Sequence, residues 1–419
     1  MRKIAESYSQ EQLAWIAVAQ IVGFTDSGVV FSPARPRWRG RIARSLHLEM
    51  GRAPYSLSED GVLFVWSTEN QRRNLAPLWN SSPREMTRIL RRHSHDFPPR
   101  LSHRLQSWIE AHIGLPVNSE LVGVSLAKAS RDLRVAQILL NRHRPRKIVI
   151  ATQHNSLQRA LALTARSAGI PTVYIPHAPT ALTRVYRDIP FDYALLRGRK
   201  DKEFYEGLGA NPSRITVIGD MSWSRRPKDA TKPQPHYINR VVVAPSPWGS
   251  QRLKWFFAVI EDAGIGSYTV IPHPRSDLGQ IHSLSSCHSQ VVDNARTVQF
   301  LRANPAILIH GDSGVALEVM AEGLPSVSLT PANTPARYAF LKTDLVPRVS
   351  NAQELIATVG RLRATPPDTS ELMNYASDWL DATGEAAADR ARSFLTQRME
   401  TSAWVLDGWH SLLGDLSSR

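Results

Sequence analysis

Three short segments in the second half of the chain carry residue types able to hold an anion. Pro245-Ser246-Pro247-Trp248-Gly249-Ser250 is a loop that prolines and a glycine hold open beside a helix start. Pro272-His273-Pro274-Arg275 fixes an imidazole between two prolines that restrict the backbone, with a guanidinium two residues on. His310-Gly311-Asp312-Ser313-Gly314 joins glycines, which allow close backbone approach, to a hydroxyl and a helix start. The first N–H groups of a helix lack partners and its dipole is positive there, so an anion is welcome. Ser246, His273, Arg275, Asp312, Ser313 and Gly314 are therefore the candidate ligand-binding residues. The competing structural reading is that Asp312 or Ser313 only caps the helix.

The first half offers groups that could take a proton from a hydroxyl, provided they lie within hydrogen-bond reach. Glu69 follows an apolar run at 61–66, and His154 and His177 follow two later ones. His93, His95 and His103 have no matching cysteines or spaced carboxylates and read as a basic surface. No acidic pair with metal spacing flanks a strand end, so no metal site is expected.

The elements that must position these residues alternate. Residues 147–151, 172–175, 193–196 and 214–218 are short strand-like runs, and 157–168 has helical spacing closed by Gly169. After a Pro-, Lys- and Arg-rich stretch at 221–239 the alternation restarts. Strands are expected at 241–244, 268–271, 306–309 and 326–329, with helices at 251–262, 297–303 and 315–322. The pattern predicts an α/β protein of two Rossmann-like domains facing a central cleft. They would be residues 1–220 and 240–370, joined by a linker at 221–239. Residues 371–419 are helical in composition and are expected to pack back across both domains, anchored by Trp379, Trp404 and Trp409.

Charge separates the halves further. Residues 1–220 hold 32 Lys plus Arg against 18 Asp plus Glu, whereas residues 221–419 hold 19 of each. Such asymmetry marks an anionic partner for the first half, or a solvated arginine-rich surface. Residues 31–47 contain five Arg, Trp38 and no acid. They could lie on anionic lipid with the apolar stretch 13–24 beside them, or track a nucleic-acid backbone. No helix-turn-helix, zinc-finger or RNP signature favours the nucleic acid. The stretch 13–24 has twelve residues, short of the roughly twenty a spanning helix needs, and lacks a signal-peptide layout. The single cysteine, Cys287, excludes an intrachain disulfide and fits a reducing, cytoplasmic setting.

The order of these motifs resembles bacterial GT-B-type glycosyltransferases of the capsule-polysaccharide, sialyltransferase-like and CDP-glycerol-transferase-like families. His273-Pro274 matches their His-Pro pair after a strand, and Ser313 with Gly323-Leu324-Pro325 matches their Ser turn and Gly-x-Pro. Asp312-Ser313-Gly314 also resembles the phosphate-binding turn of UDP-N-acetylglucosamine 2-epimerases, which share the fold. Phe191-Asp192-Tyr193, Gly198, Gly207-Leu208-Gly209 and Ile218-Gly219-Asp220 are similar to the segment before the linker in those families. The resemblance covers roughly residues 140–330 and does not reach the first 130.

It implies a metal-independent transfer of sugar from a nucleotide-activated donor to an envelope polysaccharide or lipid-linked acceptor at the inner membrane face. The nucleotide-sugar is a co-substrate, and no separate cofactor is implied. His273 and Ser313 would contact donor phosphates, and Glu318 the ribose. The epimerase pattern has two adjacent carboxylates there, whereas Val319 follows Glu318 here, which makes Glu322 the other ribose candidate. The alternatives are a sugar-nucleotide epimerase and a nucleic-acid-directed glycosyltransferase or binding protein.

Overall fold

The computed structural model describes residues 10–25, 53–79, 84–86, 106–107, 109–110, 117, 119–182, 184–222, 224, 239–274, 276–286, 288–293, 296–402 and 404. The arginine-rich stretches at 31–47 and 87–105, most of the linker, Arg275, Cys287 and Trp409 lie outside them. The chain divides into two compact units. Unit 1 comprises residues 1–177, 183–223 and 382–419, and unit 2 comprises 178–182 and 224–381.

In unit 1 the elements are α1 (Gln10–Thr25), β1 (Ala53–Leu57), β2 (Val62–Val65), α2 (Glu69–Leu75), β3 (Arg84–Met86) and α3 (Ser119–His143). They continue with β4 (Lys147–Ile150), α4 (Ser156–Ser167), β5 (Thr172–Tyr174), β6 (Tyr193–Leu196), α5 (Arg199–Gly207) and β7 (Ile215–Val217). The sheet order is β3-β1-β2-β4-β5-β6-β7. β2 and β4 through β7 run parallel, while β1 pairs antiparallel with both β2 and β3. Val62 to Val65 and Ile148 to Ile150 are buried on both faces, so their runs are continuously apolar rather than alternating. Asn155 caps α4 by accepting the Leu157 N–H at 2.8 Å.

The apolar stretch at 13–24 lies within α1, and six of its side chains face inward. Ala14, Trp15, Ile16, Ala17, Val18 and Ile21 are buried in the protein core. Trp15 Nε1 donates to Asp188 Oδ2 at 3.1 Å, and the buried Arg159 pairs with the same carboxylate at 2.7 Å. A second buried pair, Lys128 with Asp132 at 2.7 Å, ties α3 to Ser156 at the start of α4. Among the described residues no helix is long and apolar enough to cross a membrane.

Unit 2 contains β8 (Val241–Ala244), α6 (Ser250–Asp262), β9 (Tyr268–Val270), α7 (Leu278–Leu284), β10 (Ser289–Val291), α8 (Thr297–Ala303) and β11 (Ile307–His310). α9 (Val315–Ala321), β12 (Ser326–Leu329), β13 (Arg348–Val349), α10 (Ala352–Ala364) and α11 (Thr369–Trp379) follow. All six strands are parallel, in the order β10-β9-β8-β11-β12-β13. The chain enters at β8, builds outward to β10, then returns to lay β11 on the other side of β8. The order reverses between β8 and β11, which makes that crevice the topological switch point. Val241–Val243, Phe256, Phe257, Ile307–Ile309 and Val327 fill the core beneath it.

The C-terminal region is shared between the units. α11 belongs to unit 2, whereas α12 (Glu385–Thr396) and the following segment belong to unit 1. Ala387, Ala388, Ala391 and Leu395 of α12 pack against Val62, Val149 and Leu195. The chain re-enters unit 1 at a backbone clasp, where Asp220 N–H donates to Ala382 O and Gly384 N–H to Asp220 O, each at 2.8 Å. Gly219 beside it has φ +102°, and a Cβ there would overlap the Ala382 carbonyl.

Candidate functional site

Unit 2 gathers its candidate residues at the carboxyl ends of β8, β9 and β11, three adjacent strands. The loops after β8 and β11 touch directly. A Cβ on Gly311 would stand 2.7 Å from Ser246 Oγ and 2.7–2.8 Å from the Trp248 ring. Ser246 is buried, and Trp248 is held by the Arg252 guanidinium 4.1 Å above its ring and by Phe256 edge-on. Arg252 lies in the first turn of α6, and burial pulls its pKa down while the nearby Asp312 opposes this.

Asp312 is only 9% exposed. Its Oδ2 accepts the Arg337 N–H at 2.9 Å, and its Oδ1 has no hydrogen-bond partner. Burial raises its pKa, opposed by that N–H and by the charges of Arg348, Arg337 and Arg252. Ser313 Oγ accepts the Val315 N–H at 3.4 Å, just before the N-cap position of α9, which is Gly314. Gly314 abuts Pro179, whose Cδ would meet a Cβ at 3.2 Å. Pro179 belongs to the strap 178–182, which leaves unit 1 after His177 and packs into unit 2. There Leu182 N–H donates to Arg337 O at 2.7 Å, and Ala181 bridges Tyr338.

His273 sits half-buried just past β9, and its carbonyl accepts the Ser276 N–H at 2.8 Å. Arg275 lies outside the described residues, so its place beside His273 is not defined. Glu318 lies half-buried in the first turn of α9. Glu322, the other ribose candidate, is buried in a 2.7 Å ion pair with Arg302. His310 is fully buried at the end of β11, and burial lowers its pKa to about 4.

In unit 1 the three proton-accepting candidates differ in setting. Glu69 opens α2, half-exposed, and its carboxylate binds Arg72 at 2.6 Å and Arg73 at 3.0 Å. The Arg72 hydrogen bond leads the effects that hold its pKa below the usual carboxylate value. His154 packs edge-on against buried Tyr186, 4.2 Å between centroids. His177 Nδ1 lies 2.8 Å from Ala151 O. A carbonyl can only accept, so Nδ1 carries the proton and Nε2 is the basic nitrogen. Asn74 Nδ2 steadies the same loop by donating to Pro176 O at 3.3 Å. Among the described residues no group of three or more His, Cys, Asp or Glu could hold a metal ion.

Sequence reasoning missed Arg252, Arg337, Arg348 and Thr180. Arg252 was within reach of it, because it follows the Pro245–Ser250 loop by two residues, in the first turn of α6. Arg337 comes to Asp312 from the loop between β12 and β13 and Arg348 from the start of β13, and nothing local marks them.

No protein-family model matches the chain, and no curated protein matches it. Among solved structures, it is similar to UDP-GlcNAc 2-epimerase from Neisseria meningitidis bound to UDP-GlcNAc. That likeness has a TM-score of 0.48 and 13% identity, over 65% of this chain and 82% of that one. It is also similar to the glycotransferase of kitacinnamycin, with a TM-score of 0.45 and 15% identity over 65% and 81% of the two chains. An Anabaena protein in complex with UDP and glucose gives a TM-score of 0.41 and 16% identity over 64% and 81%.

Proposed function

We propose that this chain transfers a sugar from a nucleotide-activated donor to an acceptor hydroxyl, with unit 2 binding the donor. The observation that carries the reading is the switch point of unit 2, where Ser246, Gly311 and Asp312 meet under Arg252. Ligands of open parallel sheets bind at such points, beyond the carboxyl ends of the strands. The order of His273-Pro274, Ser313 and Gly323-Leu324-Pro325 supports a nucleotide-sugar as the ligand class. His273, Ser313 and the Gly314 backbone would meet the donor phosphates, with Glu318 toward the ribose. Fixed donors of this kind stabilise charge developing on a leaving phosphate.

His177 is the base this reading favours, because its tautomer presents Nε2 as the proton acceptor. The acceptor O–H proton passes to Nε2, the oxygen bonds the anomeric carbon, and the bond from that carbon to the donor phosphate breaks. The nucleotide leaves with the bonding pair. The charge excess of residues 1–220 supports an anionic or lipid-linked envelope acceptor.

Incubation with CMP-, UDP-, GDP- and CDP-activated sugars, with and without acceptor, tests the reading through nucleotide release. Acceptor-dependent release is expected. An isomerised sugar without acceptor would reassign the chain to epimerisation, and failure to bind any nucleotide by calorimetry would refute the reading.

A further inference from the structure

Asp312 Oδ1 and Thr180 Oγ1 in unit 2 belong to residues more than nine-tenths buried and have no hydrogen-bond partner, as do Ser326 Oγ and Ser328 Oγ within β12. Asp312 is 9% exposed and Thr180 3%. One backbone segment holds their surroundings together. Arg337 N–H donates to Asp312 Oδ2, and Arg337 O accepts the Leu182 N–H, two residues beyond Thr180. On the other side of Thr180, Pro179 lies against Gly314, two residues beyond Asp312.

We propose that Asp312 and Thr180 form a recognition pair for hydroxyl groups of a sugar ring in the ligand. The proposal rests on the donor-binding reading of unit 2 and names the part of the ligand this pair reads. Three arguments carry it. Buried polar atoms are nearly always paired, so two left bare on segments joined through Arg337 and Gly314 call for a partner. A phosphate at neutral pH has no proton to give and repels a carboxylate, so Asp312 Oδ1 requires an O–H or N–H donor. Holding Arg337 needs only one carboxamide-like oxygen. The charges of Arg348, Arg337 and Arg252 keep the carboxylate favourable there, and its second oxygen, Oδ1, remains for a further donor. A hydroxyl satisfies both members, because it donates to Asp312 and accepts from Thr180.

The test uses the full chain with Asp312→Asn, which keeps an oxygen for Arg337 and turns the other position into a donor, and with Thr180→Val, which removes only the hydroxyl. Calorimetry against UDP, CDP, GDP, their 2′-deoxy forms and their sugar conjugates reads the outcome. Asp312→Asn should weaken binding about 10- to 100-fold, as for a lost hydrogen bond to a charged group. Thr180→Val should weaken it about 3- to 10-fold, and both variants should melt at or above wild type. Lost preference for the sugar conjugate over the free nucleotide identifies the transferred sugar as the source. Lost preference for the ribo over the deoxy form identifies the ribose.

The pair is overturned if both variants bind every probe as wild type does, or if the loss tracks the base alone. Should Asp312→Asn fail to fold, Thr180→Val decides by the same readings. If the wild-type chain binds no nucleotide, the donor-binding reading falls, and thermal shifts with free ribose, glucose and N-acetylglucosamine judge the pair. A shift abolished in Asp312→Asn upholds it, and no shift overturns it.

Discussion

On the proposed reading His177 and His273 would fail in different ways, because one would move a proton and the other would meet charge. His177→Asn can still donate to Ala151 O, so the loop keeps its anchor while the basic nitrogen is lost. We expect kcat to fall about 10²- to 10⁴-fold with KM and melting temperature nearly unchanged, and the acid limb of the pH–rate profile to vanish. An unaltered acid limb would remove His177 from the chemistry. His273→Ala should cost on the order of 10²–10³ in rate and most of the thermal shift given by nucleotide. The imidazole is half-buried and fills little core, so a large fall in melting temperature with normal nucleotide binding would make it structural. Glu69→Gln provides the contrast. Its exposed pairs with Arg72 and Arg73 are worth about 0.2–1 kcal/mol each, and turnover should stay within about twofold of wild type.

The loops at the switch point act as joined elements, and Gly311 is where they join. Gly311→Ala places a methyl against Ser246 Oγ and the Trp248 ring, so the β8 and β11 loops must separate. Overpacking of this kind typically costs about 1–3 kcal/mol, and nucleotide affinity should fall with the melting temperature. His310, one residue earlier, gives the strand end a pH signature. Its pKa in the folded chain is near 4, below that of the unfolded chain, so unfolding takes up a proton as the pH drops between those values. Stability should therefore fall as the pH goes from about 6.5 to about 4. In His310→Asn the melting temperature should depend less steeply on pH there, and an identical slope would refute the burial argument. These loops were legible in the sequence because glycine and proline punctuate short β-branched runs: Tyr193–Leu196, Thr297–Ala303 and Ser326–Leu329 have the bounds read from the residues alone. α3 was not, since Ser125, Lys128 and Asp132 sit on its buried face and blur the apolar period. β1 was hidden for another reason: its Pro54 and Ser56 give no strand signal, and only long-range pairing with β2 and β3 orders it. The strap at 178–182 is likewise defined by partners around residue 337, which no local pattern announces.

Over the whole molecule, chain order and unit membership diverge, and the C-terminal segment shows the consequence. The chain leaves unit 1 near residue 223 and returns at 382, so unit 1 is completed only after unit 2 has been laid down. The returning segment is tied in by more than α12. Ser402 N–H donates to Asp192 Oδ1 at 2.7 Å, Arg166 binds the Ser402 carbonyl, and Trp404 stacks on Trp15 at 6.2 Å. Asp192 needs those contacts, because burial pushes its pKa up and the Ser402 N–H leads the effects that oppose the shift. Its other oxygen accepts both the N–H and the hydroxyl of Thr172 in β5. A chain ending at Thr396 would keep α12 but strip Asp192 and Arg166 of these partners and uncover Trp15. Losing partners to buried polar groups costs about 1–3 kcal/mol each, reduced here because water can enter. We therefore expect the truncated chain to lose several degrees of thermal stability in the transition that reports Trp15, while nucleotide affinity, which the proposed reading assigns to unit 2, stays at the wild-type value. Equal melting of both proteins would show the segment to be a passenger on unit 1. A fall in nucleotide affinity with unit 1 still folded would show that the proposed donor site draws on residues beyond unit 2.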